Sequence, residues 1–390
     1  MIYLDHNATS PLLPGAREAV LAALDHAGNA SSVHAPGRKA RARIEDAREE
    51  VARLAGAHPG SVVFTSGGSE ANALALRGAV AGALTEEDRF TRIFISAIEH
   101  ESVRANAIAL SESVPGIRLS EMAVTPDGVV DLPAFRLQLM QGKGRTLISL
   151  MAANNETGVL QPVKAIVDIV RRECGEDALI HVDAAQVPGR LPISFAEPGV
   201  DYMSLSAHKF GGPQGVGALI VRDGAPLAPM SSGAQELGRR GGTENLAAIA
   251  GFGAGAVEVM SAVGNEQHMR DLRDGFERGL KRLVPEAVIF GEKAERLPNT
   301  SNFAIPGITA ETALIALDLD GVALSSGSAC SSGKVRSSHV LAAMGVSDAL
   351  ARCGLRISLG PSNSADDIEA LLHALQRLCV RKAQLNVAAA

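Results

Sequence analysis

The stretch that decides the fold is Tyr202-Met203-Ser204-Leu205-Ser206-Ala207-His208-Lys209, in which a short apolar strand runs into small polar residues and ends at a lysine. A lysine at a strand end can be held partly desolvated, which keeps its amine nucleophilic. Most lysines are solvated surface charges, so this stretch alone is weak evidence for a catalytic role.

A second buried strand lies upstream and ends in a carboxylate, in the stretch Ile180-His181-Val182-Asp183-Ala184-Ala185-Gln186. An acid and a lysine at two strand ends suggest pyridoxal 5'-phosphate (PLP), whose pyridinium nitrogen pairs with an acid and whose aldehyde forms a Schiff base with a lysine. Asp183 and Lys209 together therefore predict a PLP site much more strongly than either does alone.

Around these two strands, residues 61–221 alternate short apolar runs with helical patterns. The runs are Val62-Val63-Phe64, Ile93-Phe94-Ile95, Leu147-Ile148-Ser149-Leu150, Ile180-His181-Val182 and Met203-Ser204-Leu205. Such alternation predicts an α/β fold with a mainly parallel sheet covered by helices on both faces. Ligands of such sheets bind at the carboxyl ends of the strands, which is where Asp183 and Lys209 lie. An amphipathic pattern over residues 38–54 predicts a packing helix that ends at Gly56.

The chain length of 390 residues predicts two domains. After about Gly251 the pattern changes to a helix over 266–283, scattered strand-like runs and a terminal helix over 365–381, which predicts a smaller α+β domain. Pro11 and Pro14 break the chain before the next helix, so the amino-terminal segment is expected to pack with that domain. The predicted division is a large PLP-binding domain over 16–260 and a small domain over 1–15 plus 261–390.

Composition and charge exclude several classes of protein. The formal net charge is −6 with a pI of about 6.0, and the sequence has no long basic run, which argues against nucleic acid as the main ligand. The sequence contains no apolar stretch of the roughly 20 residues that span a bilayer, and the first residues lack the pattern of a signal peptide. We therefore expect a cytoplasmic protein without a membrane partner. The four widely spaced cysteines indicate neither a disulfide framework nor a zinc site.

The stretch Thr65-Ser66-Gly67-Gly68-Ser69-Glu70-Ala71-Asn72 follows a strand and opens a helix. Glycines allow close approach of the backbone to a ligand, and the amino end of a helix offers free N–H groups and a positive dipole, so a phosphate fits there. The alternative is that Ser69 is an ordinary helix N-cap. Ser206 and His208 could donate to the same phosphate, although either is also typical of a turn.

Two further polar positions follow strands. His100 could lie over a cofactor ring and transfer protons near neutral pH, although a histidine at a strand end is more often a local hydrogen-bonding residue. In Asn154-Asn155-Glu156-Thr157-Gly158 an amide could reach a ring hydroxyl, and the alternative is a plain turn.

Cys330 lies among small polar residues in Gly327-Ser328-Ala329-Cys330-Ser331-Ser332-Gly333, which predicts an exposed thiol of the kind that acts as a nucleophile. The alternative is a loop thiol without a role. The other cysteines fall in helical or strand-like patterns and are interpreted as packing residues. In Leu355-Arg356-Ile357-Ser358-Leu359-Gly360 a charge interrupts an apolar run. Its guanidinium could bind a substrate carboxylate or form a structural ion pair.

These segments, in this order, resemble the cysteine desulfurases of the NifS/IscS-like group, which belong to the class V aminotransferase family of fold-type I PLP enzymes. The resemblance covers nearly the whole chain and implies a seven-stranded, mainly parallel sheet in the large domain. The matching segments are Tyr3-Leu4-Asp5-His6-Asn7-Ala8-Thr9, Ser31-Ser32-Val33-His34, Thr65-Ser66-Gly67, Asn154-Asn155-Glu156-Thr157-Gly158, His181-Val182-Asp183-Ala184-Ala185-Gln186, Arg240-Gly241-Gly242-Thr243-Glu244-Asn245 and Ser325-Ser326-Gly327-Ser328-Ala329-Cys330.

The resemblance implies a role for each matched position. Lys209 would form the Schiff base, Asp183 would pair with the pyridinium nitrogen and His100 would stack on the ring. Asn155 and Gln186 would serve the ring hydroxyl, and Arg356, helped by Asn155, would bind the substrate carboxylate. The phosphate would be held by Gly68, Ser69, Ser206 and His208, and by Thr243 from the other subunit of a homodimer.

The resemblance also implies the reaction. L-Cysteine would give L-alanine and a persulfide on Cys330, which would pass sulfur to an iron–sulfur scaffold protein or another acceptor and could ligate an iron–sulfur cluster transiently. Ala30 and the run Lys334-Val335-Arg336-Ser337 depart from the usual pattern, which leaves open the acceptor and whether the role is housekeeping or nitrogen fixation. The alternatives are a selenocysteine lyase or an aminotransferase on the same scaffold, or a cofactor-free assembly scaffold.

Overall fold

The structure is a computed structural model that describes residues 1–83, 89–196, 199–262, 264–327 and 338–388. The strands are β1 (Ile2–Tyr3), β2 (Val62–Thr65), β3 (Phe90–Ser96), β4 (Arg118–Met122), β5 (Arg145–Met151), β6 (Ala178–Asp183), β7 (Tyr202–Ser206), β8 (Gly217–Val221), β9 (Val288–Phe290), β10 (Thr300–Ala304), β11 (Val322–Ala323), β12 (Ser325–Ser326) and β13 (Gly354–Ser358). The helices are α1 (Pro14–Leu24), α2 (Ala35–Ala55), α3 (Gly68–Ala73), α4 (Ala79–Ala81), α5 (Glu101–Ser113), α6 (Leu132–Met140), α7 (Val163–Cys174), α8 (Leu246–Ser261), α9 (Asn265–Leu283), α10 (Ala310–Leu319), α11 (His339–Ala343), α12 (Asp348–Ala351) and α13 (Ala365–Ala388).

Within the described residues, the largest sheet has seven strands in the order β2-β8-β7-β6-β5-β3-β4. The strands from β7 to β4 pair in parallel, whereas β8 pairs antiparallel with both β2 and β7. All residues of β6 and β7 are buried, as expected for strands covered on both faces. The predicted α/β class and mainly parallel sheet are confirmed, and the antiparallel β8 is a feature that the sequence reading did not anticipate.

Successive residues of each strand enter different hydrophobic clusters on the two faces of this sheet. Phe64 and Ile148 pack with residues of α2, α7 and α8, and their neighbours Val63 and Leu147 pack with residues of α3 and α5. This alternation follows from the two-residue period of a strand, and it explains why the strands read as continuous apolar runs. The helix predicted over 38–54 is α2, and it ends at Gly56 in the left-handed conformation (φ 61°).

The strand register brings the predicted site residues to one edge of the sheet. Asp183 ends β6 and pairs with Met151 of β5 on one side and with Ser204 of β7 on the other. Lys209 follows the end of β7 in a short 3₁₀ turn. Since parallel strands end at the same edge, the carboxylate and the amine lie at neighbouring strand ends.

A second hydrophobic cluster is built around the antiparallel sheet β12-β13-β10-β9. Leu4, from the amino-terminal segment, packs in this cluster together with residues of α9 and α13. The helices predicted over 266–283 and 365–381 correspond to α9 and α13. The predicted domain boundaries at residues 15/16 and 260/261 stay a prediction.

In the part of the chain that the structure describes, no single helix is both long and apolar enough to cross a membrane, although α8 and α9, bent by 76°, pass the same test as a pair.

Candidate active site

A cavity of about 490 Å³ opens at the carboxyl edge of the large sheet, and we call it the site cavity. Its volume is typical of a pocket for a small organic molecule. The site residues that the sequence predicted and that line it are Gly68, Ser69, His100, Asn155, Asp183, Gln186, Ser206, His208, Lys209 and Arg356. The fold therefore brings together residues that are up to 288 positions apart, counting from Gly68 to Arg356.

The Lys209 amine is held by backbone carbonyls. Its Nζ donates to the carbonyl oxygens of Asn7 at 2.8 Å and Ala8 at 3.0 Å. Burial, reinforced by the positive charges of Arg356 and Arg190, lowers the pKa of Lys209 to about 8. A substantial fraction of this amine is therefore neutral near physiological pH, as a nucleophilic lysine requires.

The Asp183 carboxylate is fixed by two donors. Asn72 Nδ2 donates to Oδ2 at 2.7 Å, and the backbone N–H of Ala185 donates to Oδ1 at 3.0 Å. Asn72 Nδ2 also lies 2.9 Å from Ser102 Oγ, while the buried Asn72 Oδ1 has no hydrogen-bond partner among the described residues. The carboxylate is thus oriented towards the cavity with little freedom to rotate.

His100 is the N-cap of α5 as well as a cavity residue. Its Nδ1 accepts from the backbone N–H of Ser102 at 3.1 Å, so the neutral ring carries its proton on Nε2. Burial lowers the pKa of His100, and Lys209 lowers it further while Asp183 opposes the shift. The local hydrogen-bonding role weighed from the sequence is therefore present, and it fixes the tautomer of a ring that lines the cavity.

The amino end of α3 forms the end of the cavity that suits a phosphate. A Cβ added at Gly68 would lie 3.2 Å from Ser206 Cβ, so the two positions face each other closely. The alternative that Ser69 is an ordinary N-cap is wrong, because the N-cap is Gly67 and none of the described side chains caps this helix. Gly67 has φ 153° and ψ 176°, which a residue with a side chain rarely adopts. The first N–H groups of a helix have no partner within the helix, and at α3 no described side chain takes that place.

Arg356 forms the ion pair that the sequence left as an alternative. Its Nη2 lies 2.5 Å from Asp5 Oδ1, and its Nη1 donates to the carbonyl oxygen of Asn155 at 3.0 Å. Its Nε is buried and has no partner among the described residues. Arg356 also lines the site cavity, and a guanidinium is suited to an anion such as a carboxylate.

Gln186 is held in place by a buried arginine. Arg190 Nη1 donates to both the backbone oxygen and Oε1 of Gln186 at 2.6 Å, and Arg190 Nη2 donates to the carbonyl oxygens of His6 and Lys209. The Gln186 Nε2 therefore points away from Arg190 and donates to the carbonyl oxygen of Asn7 at 3.1 Å. The amide orientation is set by these contacts.

Two predicted residues stand apart from this set, one because the structure does not describe it and one because it does not line the cavity. Cys330 lies outside the described residues, so its predicted role as a cluster ligand stays a prediction. Thr243 is exposed and does not cap α8, because Asn245 is the N-cap and accepts from the backbone N–H of Ala248. Among the described residues, no group of three or more His, Cys, Asp or Glu side chains is placed to hold a metal ion. The other cysteines are free thiols that pack with apolar clusters, as predicted.

Sequence reasoning assigned no role to Asp5, Asn7, Asn72 and Arg190. Asp5 and Asn7 fall in a segment quoted for the resemblance, and Asn72 ends the glycine-rich stretch, so each carried a positional signal. Arg190 carried none, because its partners are backbone carbonyls that only the fold brings together.

Comparison with known proteins places the chain in a family. Residues 2–371 match the family model for class-V aminotransferases.

The chain belongs to the class-V aminotransferase family.

Its relatives include the cysteine desulfurase IscS of Dictyoglomus turgidum, which is 38% identical over 97% of this chain and 94% of the relative. The IscS-like cysteine desulfurase of Mycobacterium tuberculosis is 38% identical over 100% of this chain and 99% of the relative. Among solved structures, a NifS-like protein superposes with a TM-score of 0.88 at 33% identity, covering 97% of this chain and 99% of that one. A NifS-like protein from Rickettsia africae superposes with a TM-score of 0.85 at 36% identity, covering 97% of this chain and 99% of that one. The fold is accordingly that of a fold-type I PLP enzyme.

PLP is the cofactor of this family, and the residues of the site cavity fit it. A lysine of lowered pKa and a fixed carboxylate lie at neighbouring strand ends, and the free amino end of α3 lies on the same cavity. A lysine, an acid and a helix amino end are the kinds of group that suit the aldehyde, the ring nitrogen and the phosphate of PLP.

Proposed function

We propose that the protein is a cysteine desulfurase that converts L-cysteine to L-alanine and leaves the sulfur as a persulfide on Cys330. The observation that carries the proposal is the site cavity itself, which Lys209, Asp183 and Arg356 line together. A PLP site beside a carboxylate-binding arginine suits an amino-acid substrate.

In this proposal the residues that hold the cofactor take the roles that the family resemblance implies, and all of them except Thr243 line the cavity. Lys209 anchors the cofactor aldehyde, Asp183 pairs with the ring nitrogen and His100 covers the ring. Asn155 and Gln186 serve the ring hydroxyl. The phosphate is held by Gly68, Ser69, Ser206 and His208, with Thr243 of a second subunit.

When bound, PLP supplies an electron sink that makes the substrate Cα–H bond acidic. Lys209, once released from the cofactor, is the base placed to take and return that proton, because burial lowers its pKa to about 8. Arg356 binds the substrate carboxylate and fixes the orientation of the amino acid. His100, with its proton on Nε2, is placed to transfer protons as the substrate sulfur departs.

The sulfur transfer balances without an external oxidant. The Cβ–S bond of the substrate breaks, an S–S bond forms on the Cys330 sulfur, and the carbon skeleton leaves as alanine with the proton that the thiol gives up. We further propose that the persulfide passes to an iron–sulfur scaffold protein or another acceptor, that the enzyme is a cytoplasmic homodimer, and that its cellular role is housekeeping or nitrogen-fixation cluster assembly.

The test uses the purified protein and L-cysteine. With dithiothreitol present to reduce the persulfide and release its outer sulfur as sulfide, alanine and sulfide should form in equal amounts, and borohydride should fix the cofactor to the peptide that contains Lys209. Cys330→Ser should bind PLP and cysteine and yet release almost no sulfide, because a hydroxyl does not accept sulfur as a persulfide. Cys353→Ser is the matched control and should retain the wild-type rate.

Each alternative function has its own outcome. Activity with selenocysteine alone indicates a selenocysteine lyase, a requirement for a keto acid indicates an aminotransferase, and absence of bound PLP indicates a scaffold. Unchanged sulfide release by Cys330→Ser would place the nucleophile elsewhere in the chain.

A further inference from the structure

Glu156 is a buried carboxyl group beside the site cavity that the proposed chemistry does not use. It is 4% exposed and lies in the turn after β5. Its backbone N–H and that of Thr157 both donate to Asn154 Oδ1 at 2.9 Å, and its carbonyl oxygen accepts from Asn302 Nδ2 at 3.2 Å. The backbone that carries the carboxyl group is therefore held from two sides.

One oxygen of this carboxyl group meets the two residues that flank the segment 328–337. After the segment, Ser338 Oγ donates to Glu156 Oε2 at 2.5 Å. Before the segment, a Cβ added at Gly327 would lie only 2.7 Å from the same Oε2 and 3.3 Å from Asn302 Nδ2. Position 327 is thus packed against the carboxyl group so closely that only glycine fits without a shift.

The Ser338 hydroxyl has a second role at this point. It accepts from the backbone N–H of Leu341 at 3.1 Å and is the N-cap of α11. The hydroxyl therefore links Glu156 to the first turn of a helix that is anchored by Val340 and Leu341 in a buried cluster. An N-cap hydroxyl that also donates a hydrogen bond to a buried carboxylate is held more rigidly than one that faces water.

The same carboxyl group is coupled to the candidate substrate residue. Ser325, which lies two residues before Gly327, is in β12 and pairs with Arg356 of β13. The positive charge of Arg356 acts on Glu156, although burial has the larger effect and raises the pKa of Glu156 to about 7. Glu156 thus lies between the residue proposed to bind the substrate carboxylate and both ends of the segment that contains Cys330.

We propose that Glu156 is a positioning residue that fixes Gly327 and Ser338, the residues on either side of the segment 328–337, through close packing with Gly327 and through the Ser338 hydroxyl, and so limits where Cys330 can meet the bound substrate. The proposal rests on the proposed desulfurase function for its last step only. The anchoring itself follows from the contacts of Glu156 and can be measured without the reaction.

The experiment compares Glu156→Ala, Ser338→Ala and the double variant, all as full-length holoenzyme. Lys334 and Arg336 are trypsin sites within the segment, so the rate of cleavage there reports its anchoring. Loss of the buried hydrogen bond should raise that rate about five- to tenfold in each single variant. The effect in the double variant should be smaller than the sum of the two single effects, because each single change already removes the hydrogen bond between Glu156 and Ser338.

A second readout connects the anchoring to the chemistry. Single-turnover persulfide formation on Cys330 should slow by about tenfold in the same variants, while the KM for cysteine stays within about twofold, because the substrate residues are untouched. Glu156→Gln keeps an acceptor oxygen for Ser338 and should restore both the cleavage rate and the persulfide rate to within about twofold of wild type.

The control for loss of an N-cap is Thr309→Ala, which removes a hydroxyl cap from the exposed start of α10. It should leave both rates at the wild-type value. The proposal is overturned if Ser338→Ala leaves cleavage at Lys334 and Arg336 unchanged, if Thr309→Ala raises it equally, or if the two single effects add in the double variant. A wild-type enzyme that forms no persulfide from cysteine would refute the proposed function instead, and the cleavage rates would still decide the anchoring.

Discussion

The Lys209 amine illustrates how the surroundings of one side chain prepare it for chemistry. It has two carbonyl oxygens as acceptors, and its pKa is lowered to about 8 from the ordinary 10.5 by burial and then by Arg356 and Arg190. Carbonyl oxygens are neutral acceptors, so they hold the amine in place without stabilising its charged form as a carboxylate partner would. The amine is therefore both positioned and available as a nucleophile.

This environment predicts the pH dependence of cofactor capture by the apo-protein. Only the neutral amine attacks an aldehyde, so the capture rate should rise with pH and level off above about 8, instead of rising towards 10.5 as for a solvated lysine. The absorbance of the imine measures the rate, with N-acetyl-lysine as the matched reference amine. Arg356→Met removes one of the positive charges and should move the midpoint to higher pH. A rate that still rises steeply between pH 9 and 10 in the wild type would contradict the prediction.

The residues that sequence alone could identify are those with a local signal. Lys209 and Asp183 each end an apolar strand, and Gly68 lies between a strand and a helix, so periodicity places them. The stretch that contains Asn72 has a local signal, but the contact of Asn72 with Asp183 spans 111 positions, and Arg190 binds backbone carbonyls of distant segments. Their roles depend on tertiary contacts, which pattern reasoning does not reach.

Among the strands, β8 is the element that the sequence reading missed and that the site depends on. It lies antiparallel between β2 and β7, and its first residue, Gly217, pairs with both Thr65 and Ser206. Periodicity identifies an apolar strand, but it does not give its direction or its neighbours, which are set by long-range pairing. The glycine-rich stretch after β2 and the turn after β7 that carries Lys209 are thus held together by β8, which follows both of them in the chain.

Gly217→Ala tests this arrangement. An added Cβ would lie 2.6 Å from the carbonyl carbon of Gly67 and 2.6 Å from the backbone oxygen of Leu205, both of which are backbone atoms that cannot move aside cheaply. Overpacking of this kind costs roughly 1–3 kcal/mol, and the loop that leads to the amino end of α3 should shift, so PLP should bind the apo-protein about tenfold more weakly. Titration of the apo-protein with PLP measures the change.

The matched control is Gly275→Ala within α9, where the nearest atom to an added Cβ is Arg278 Nη2 at 3.9 Å. This change should leave PLP binding unchanged and slightly increase helix stability. Wild-type affinity in Gly217→Ala would show that β8 tolerates the methyl group and does not set the position of the loop.

At the level of the whole molecule, the site is assembled from two packed units. Asp183 and Lys209 come from the strand ends of the large sheet, whereas Arg356 comes from β13 of the small antiparallel sheet. The amino-terminal segment contacts both units, because Asp5 pairs with Arg356 and the carbonyl oxygen of Asn7 accepts from Lys209. The α/β class and the mainly parallel character of the large sheet follow from sequence patterns. The closeness of Arg356 to Lys209 does not, because it depends on how the two units pack.

Thr243 raises the question of whether a second chain contributes to the site. It is exposed and does not line the site cavity of its own chain, and Asn245 takes the capping role at α8. Arg240, however, forms an ion pair with Glu70 at 2.9 Å, which keeps the segment near the mouth of its own cavity. The contacts within one chain therefore leave two hypotheses, a phosphate contact across a homodimer and one within the chain.

Mixed dimers distinguish these hypotheses. Thr243→Asp places a carboxylate against the phosphate and should weaken PLP binding by like-charge repulsion, and Lys209→Ala removes the anchoring amine. Each homodimer should be inactive. If Thr243 acts across the dimer, a mixed dimer contains one site with both residues intact, so about half of the wild-type activity per dimer should return. If it acts within its own chain, both sites of the mixed dimer carry a lesion, and dimers that form but stay inactive would refute the shared site. Differently tagged chains, purified through both tags, ensure that only mixed dimers are assayed.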